Sequence, residues 1–151
     1  MLNKQISGII FILIVTFLMA CDIATPINNP PYVVTKPICE ISERSGYFTY
    51  AGTVFKFMNT SGKTVNSITV TFMLFDARTR VNPFIGSNIF EITILGIISP
   101  LENKEILISL DQYIFVAPDE PYLIDFFFIS EIRYTDGSIW QDRNGIYKIR
   151  G

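Results

Sequence analysis

The stretch "SITVTFMLFD", Ser67 to Asp76, alternates apolar and polar residues with a period of two. Ile68, Val70, Phe72 and Leu74 fall on one face and Thr69, Thr71 and Met73 on the other, the pattern of a half-buried β-strand. "GTVFKFMN" sets Val54 and Lys56 opposite Phe55 and Phe57, and the polar "NTSGKT" after it reads as a hairpin loop. "NIFEITIL", "KEILISL" and "YLIDFFFISEIRY" repeat the habit with β-branched and aromatic residues. "EIRYTDGSIWQ" is two apolar runs about Asp136-Gly137, where a type I′ turn would need positive φ at both central residues. Tyr134 and Trp140 fall near each other across that hairpin, as core packing or as an exposed aromatic platform. No stretch keeps a helical period. Strands at this spacing with turn residues between them predict an all-β chain, an antiparallel Ig- or fibronectin III-like β-sandwich of about seven strands. A small β-barrel around a lipid is the alternative at the level of fold.

The first twenty residues follow another rule. Lys4 is their only charge, and the ten residues "IIFILIVTFL" from Ile9 to Leu18 form a short apolar run. A membrane-spanning helix needs about 20 apolar residues, so residues 1–20 read as a secretory signal peptide rather than a span. Leu18, Met19, Ala20 and Cys21 close the run and resemble the bacterial lipobox, Leu-x-small-Cys. That resemblance implies cleavage between Ala20 and Cys21 and a lipid on the Cys21 thiol, with Met19 departing from the commoner small or β-branched residue. It places the chain in the envelope of a bacterial cell, held to a membrane, inner or outer, through Cys21. Asp22 resembles the retention signal of enteric inner-membrane lipoproteins. The competing readings of Cys21 are a buried thiol or a disulfide with Cys39. If Cys21 is acylated, Cys39 is left as a small apolar residue of the first strand.

Residues 21–37 then read as the lipidated cysteine and a tether, with the sandwich at residues 38–151. "DIATPINNPPYVVTKP" holds four of the eight prolines, which favours extended or polyproline II backbone. "YVV" within it could instead pair as an irregular edge strand.

"FMLFD", Phe72 to Asp76, resembles the Phe-x-Leu-Tyr-Asp motif of FxLYD-type domains, with Phe75 in the tyrosine's place. "GTVFKFMNTSGKTV" and "ISEIRYTDGSIW" resemble flanking strands and the last hairpin of related Ig-like envelope domains, over residues 47–142 in all, though Gly52 and Asn59 stand further apart than usual. Such domains are accessory and extracytoplasmic, and the resemblance implies no chemistry.

Residues that carry chemistry are sparse. The absence of histidine removes Ser-His-Asp and Cys-His arrangements and the commonest zinc ligand. "NTSGKT" lacks the first glycine of a phosphate loop, and Cys39 has no C-x-x-C partner. Asp111, Asp119, Glu120 and Asp125 are the candidate acid–base or calcium carboxylates, but they lack calcium-loop spacing and read as solvated loop residues. Beyond residue 20 the chain has 11 basic and 14 acidic residues, with no basic block to meet nucleic acid.

Phe127 and Ile129 are the one candidate partner surface. If Ile124, Phe126, Phe128 and Ile132 face the core, these two alternate outward as an apolar pair. A β-bulge would swing both inward instead. The expectation is therefore a lipid-anchored, non-enzymatic binding or assembly module without a cofactor. Its rivals are a structural envelope component and a carboxylate-dependent hydrolase.

Overall fold

The computed structural model describes residues 29–151, and the segment expected to be a signal peptide, with Ala20 and Cys21, lies outside the described residues. Within the described residues eight strands form two antiparallel four-stranded sheets, a β-sandwich. One sheet contains β1 (Tyr32–Val34), β2 (Ile38–Glu40), β3 (Gly52–Asn59) and β6 (Asn103–Ser109). β1 and β2 share one side of β3, each pairing with half of it, and β6 holds the other side. The second sheet has the order β5–β4–β7–β8, with β4 at Val65–Phe75, β5 at Ile89–Ile98, β7 at Leu123–Tyr134 and β8 at Ile139–Gln141.

The alternation in β4 is realised as read: Ile68, Val70, Phe72 and Leu74 are all buried. Between the sheets an aromatic chain runs Phe55–Phe127–Phe72–Phe90, with ring centroids 4.8, 6.3 and 5.4 Å apart. Such tilted and offset pairs pack closely while keeping like-charged ring faces apart.

The register gives the sandwich two distinguishable ends. β3 runs towards residues 60–64 and β4 away from them, but the two strands lie in different sheets, so "NTSGKT", expected as a hairpin loop, is instead a connection between the sheets. This loop, loop 99–102 and hairpin 135–138 share one end. The described chain starts there too: Thr60 N donates to the Pro31 carbonyl at 3.0 Å. Loops 76–88 and 110–122 lie at the opposite end.

Three further expectations change. The partner surface at Phe127 and Ile129 is not a surface, since both side chains are 0% exposed. Val70 opposes Ile129 while Thr69 opposes Glu131, and Thr71 opposes Phe128 while Met73 opposes Asp125, so β7 carries an extra residue in each interval. Phe126, at φ 51°, makes the first of these bulges, which turns Phe127 and Ile129 inward. The second, at Ser130–Glu131, returns Ile132 and Tyr134 to the same face. The bulge alternative is the one adopted.

Of residues 21–37, expected as a tether, Tyr32–Val34 is instead the edge strand β1, the alternative offered for "YVV", and Tyr32 is buried against Phe57 and Trp140. The sheet therefore begins before residue 38. The hairpin at Asp136-Gly137 exists, but only Gly137 has positive φ, 83°. Gly137 N donates to Tyr134 O and Tyr134 N to Ser138 O, both at 3.0 Å, a three-residue loop in which only the last position needs glycine. Tyr134 and Trp140 both belong to or pack on the core, by separate contacts: Lys63 Nζ lies over the Tyr134 ring, and Trp140 packs on Tyr32 and Tyr147.

Candidate binding groove

The core aromatic chain continues out of the sandwich at the end away from Pro31. Phe90 packs edge-on against Tyr113 at 4.7 Å and Phe84 at 5.3 Å, and Phe84 meets Tyr122 at 5.4 Å. These rings floor a groove of about 800 Å³ between loops 76–88 and 110–122. Ile85, Phe115 and Val116 stand on its rim, with Phe115 91% exposed. Pocket volumes of roughly 300–1,000 Å³ suit a small molecule or a few side chains of a peptide.

Local hydrogen bonds explain why apolar side chains stay in the open here. Asp76 Oδ1 accepts from Arg78 N, Thr79 N and the Thr79 hydroxyl at 3.0, 2.7 and 2.9 Å, which folds the chain back as it leaves β4. Asn82 accepts from Phe84 N at 2.8 Å and donates to the Gly86 carbonyl at 2.7 Å, so "NPFIG" closes on itself and projects Ile85. Asn88 Nδ2 donates to the Leu74 carbonyl at 2.9 Å and starts β5. In the other loop, Asp111 accepts from Thr49 N at 2.6 Å and Tyr50 N at 3.0 Å, and buried Ile114 fixes the segment that displays Phe115 and Val116. Arg78 Nη2 donates to Glu120 Oε1 at 2.6 Å and joins the two loops.

The ionisation of these groups follows their contacts. Hydrogen bonds from Thr79 hold the Asp76 carboxyl below its ordinary value, and the Arg78 guanidinium does the same for Glu120. At Asp111, desolvation pushes upward, but the amides of Tyr50, Thr49 and Ala51 outweigh it and the net direction is down. Burial raises the Tyr122 hydroxyl, with nearby Cys39 adding to it.

The four candidate carboxylates do not converge on one site. Asp111 holds the Thr49–Tyr50 backbone, Glu120 pairs with Arg78, whose guanidinium also feels the charge of Asp119, and Asp125 accepts from Phe126 N at 2.8 Å and Gly151 N at 3.0 Å. Among the described residues no group of three or more His, Cys, Asp or Glu side chains could hold a metal ion. Cys39 is a half-buried free thiol in β2, packed against the core, and burial pushes its pKa up, which keeps it protonated. No helix among the described residues is long and apolar enough to cross a membrane.

The groove itself escaped the reading of the sequence. "PFIG" and "YIFVAP" sit in turn-rich segments between strands, where apolar residues have no core face to occupy. Apolar residues in such a position are the signal of a displayed surface. Comparison with protein families, with curated proteins and with solved structures gives no match.

Proposed function

We propose that this chain is a bacterial lipoprotein, anchored through acylated Cys21, whose β-sandwich is a non-enzymatic binding module of the cell envelope. The sandwich on this reading is of the Ig- or fibronectin III-like kind, consistent with the FxLYD-like motif, Phe72 to Asp76, at the end of β4. The observation that carries the binding role is the aromatic groove at the end of the sandwich away from Pro31, the end at which the described chain starts. A chain tethered by its N-terminal segment would present this end to partners. The ligand is apolar: a protruding hydrophobic side chain of a partner protein fits a floor of Phe84, Phe90, Tyr113 and Tyr122. Two acyl chains hold a protein firmly at a bilayer, at about 0.8 kcal/mol per buried CH₂, so the tether needs no span.

Two measurements test the reading. The intact mass of the protein from its own cells should show a mature start at Cys21 with added acyl mass, and an unmodified start at Met1 would remove the anchor. Titration with indole, a minimal aromatic probe, should shift the methyl resonances of Ile85, Ile114 and Val116. Phe115→Glu should abolish those shifts without altering the core signals. Shifts spread over the whole surface would show that the groove has no binding role.

A further inference from the structure

A sandwich of two sheets has four open sides, and three of them here carry features that discourage another strand. The β1/β2 side is broken into two three-residue pieces separated by a turn containing Pro37. β6 presents Lys104 and Glu105, and β8 is only three residues long. The fourth, β5, is ten residues long, "IFEITILGII", with no proline and no lysine. Ile89, Leu95 and Ile97 on it are exposed. A long apolar edge of this kind is a template for strand pairing.

The backbone of that edge is open in a definite pattern. Leu74 N donates to Asn88 O at 3.0 Å while Asn88 Nδ2 donates to Leu74 O, so Asn88 closes the β4 pairing at this end. Counting on in twos along the antiparallel register, Phe90, Ile92 and Ile94 bond to β4, and Ile89, Glu91, Thr93 and Leu95 turn their N–H and C=O groups outward. Ile89, Phe90 and Glu91 also line the aromatic groove, so the open edge and the groove are continuous. Glu91 is the only charge on β5 and forms no ion pair among the described residues.

We infer that β5 accepts an extended segment of a partner protein as an added antiparallel strand, with a Lys or Arg opposite Glu91 and its C-terminal apolar residue in the groove. The inference rests on reading the groove as a partner site and adds the partner's chemistry. Main-chain bonds supply the affinity, and the base opposite Glu91 with the apolar end supplies the choice of partner. A second copy of this chain fits less well. β5 offers no base to Glu91, and antiparallel self-pairing would turn the two N-terminal ends in opposite directions.

The test uses the full-length chain in detergent and a fluorescein-labelled peptide, Thr-Ile-Thr-Val-Arg-Ile-Thr-Phe, read by anisotropy. The peptide should bind at least about tenfold more tightly than its twin with Glu for Arg, and Glu91→Lys should invert that preference. N-methylation of the third and fifth residues, whose amides face β5, should abolish binding, while N-methylation of the fourth and sixth should leave it. No binding, binding indifferent to which amides are methylated, or disulfide-linked homodimers of Thr93→Cys overturns the inference. If indole still shifts the groove methyls in that case, only the added strand is refuted; if neither probe acts, the groove reading falls as well.

Discussion

The Arg78 guanidinium reaches Glu120 at 2.6 Å across 42 residues of sequence, and this pair ties together the two loops that display the groove. Both side chains are largely exposed, so the pair adds little to global stability. Its effect is on the spacing of the loops. Glu120→Gln should leave the unfolding midpoint unchanged while raising amide exchange across residues 77–87 and 112–119. Unchanged exchange would show that the loops are held by their own turns alone.

The pH dependence of the groove follows from the same contacts. Asp76 and Glu120 are both held below their ordinary values, so their folded forms bind fewer protons than the unfolded chain near pH 4. The stabilisation is then fully present above about pH 5 and fades as the pH falls through the lowered values. Exchange protection of the loops should hold steady from pH 7 to about 5 and drop below about 4, and Asp76→Asn should remove most of the drop. Loss of protection on raising the pH instead would contradict this assignment.

The bulges in β7 predict an inverted hierarchy among its phenylalanines. Phe127 is 0% exposed between Phe55 and Phe72, and Phe127→Ala should cost about 3–5 kcal/mol in denaturant unfolding. Phe126 occupies φ 51°, where a β-carbon is strained, and its ring lies on the outer face under Arg150. Phe126→Gly relieves that strain and should cost less than about 1 kcal/mol. Equal costs would mean that β7 runs without the first bulge.

This strand also marks the limit of what the sequence discloses. A period of two is visible in β4 because nothing interrupts it, and four inward residues are legible there. In "LIDFFFISEIRY" the inward positions are Ile124, Phe127, Ile129, Ile132 and Tyr134, spaced 3, 2, 3 and 2, and three adjacent phenylalanines hide the break. The sequence leaves the two parities open, and tertiary packing chooses between them. β1 was legible only as the weaker of two readings, for another reason. Prolines on both sides of "YVV" suggest a tether, but an edge position tolerates them, and Tyr32 gains a buried site between Phe57 and Trp140. The groove was least legible of all, because its shape depends on two loops distant in sequence meeting through the Arg78–Glu120 ion pair and the Phe84–Tyr122 ring contact.

If β1 is part of the sheet, truncation should show it. A chain beginning at Asn29 should unfold at the same denaturant midpoint as one beginning at Cys21. A chain beginning at Thr35 loses Tyr32 from its pocket and should lose about 3–5 kcal/mol. Identical midpoints for all three would return residues 32–34 to the tether.

Asn59 organises the opposite end through four side-chain hydrogen bonds. It was expected in a polar hairpin loop, yet it is 0% exposed and fully bonded. Its Nδ2 donates to the carbonyls of Lys63 and Ile98 at 2.8 and 3.0 Å, and its Oδ1 accepts from the Ser61 amide and hydroxyl at 3.0 and 2.6 Å. Asn59→Leu matches the volume but strands two carbonyls, and should cost about 2–4 kcal/mol. Asn59→Asp is the sharper test. At neutral pH it turns a carboxylate towards those carbonyls, so burial and repulsion raise its pKa in the folded state. The folded chain then binds a proton that the unfolded chain has released, so the variant should recover stability as the pH falls through the raised value. Over the same range the wild type should hold level or weaken. A variant whose stability does not improve on acidification would show that Ser61, rather than Asn59, orders this turn.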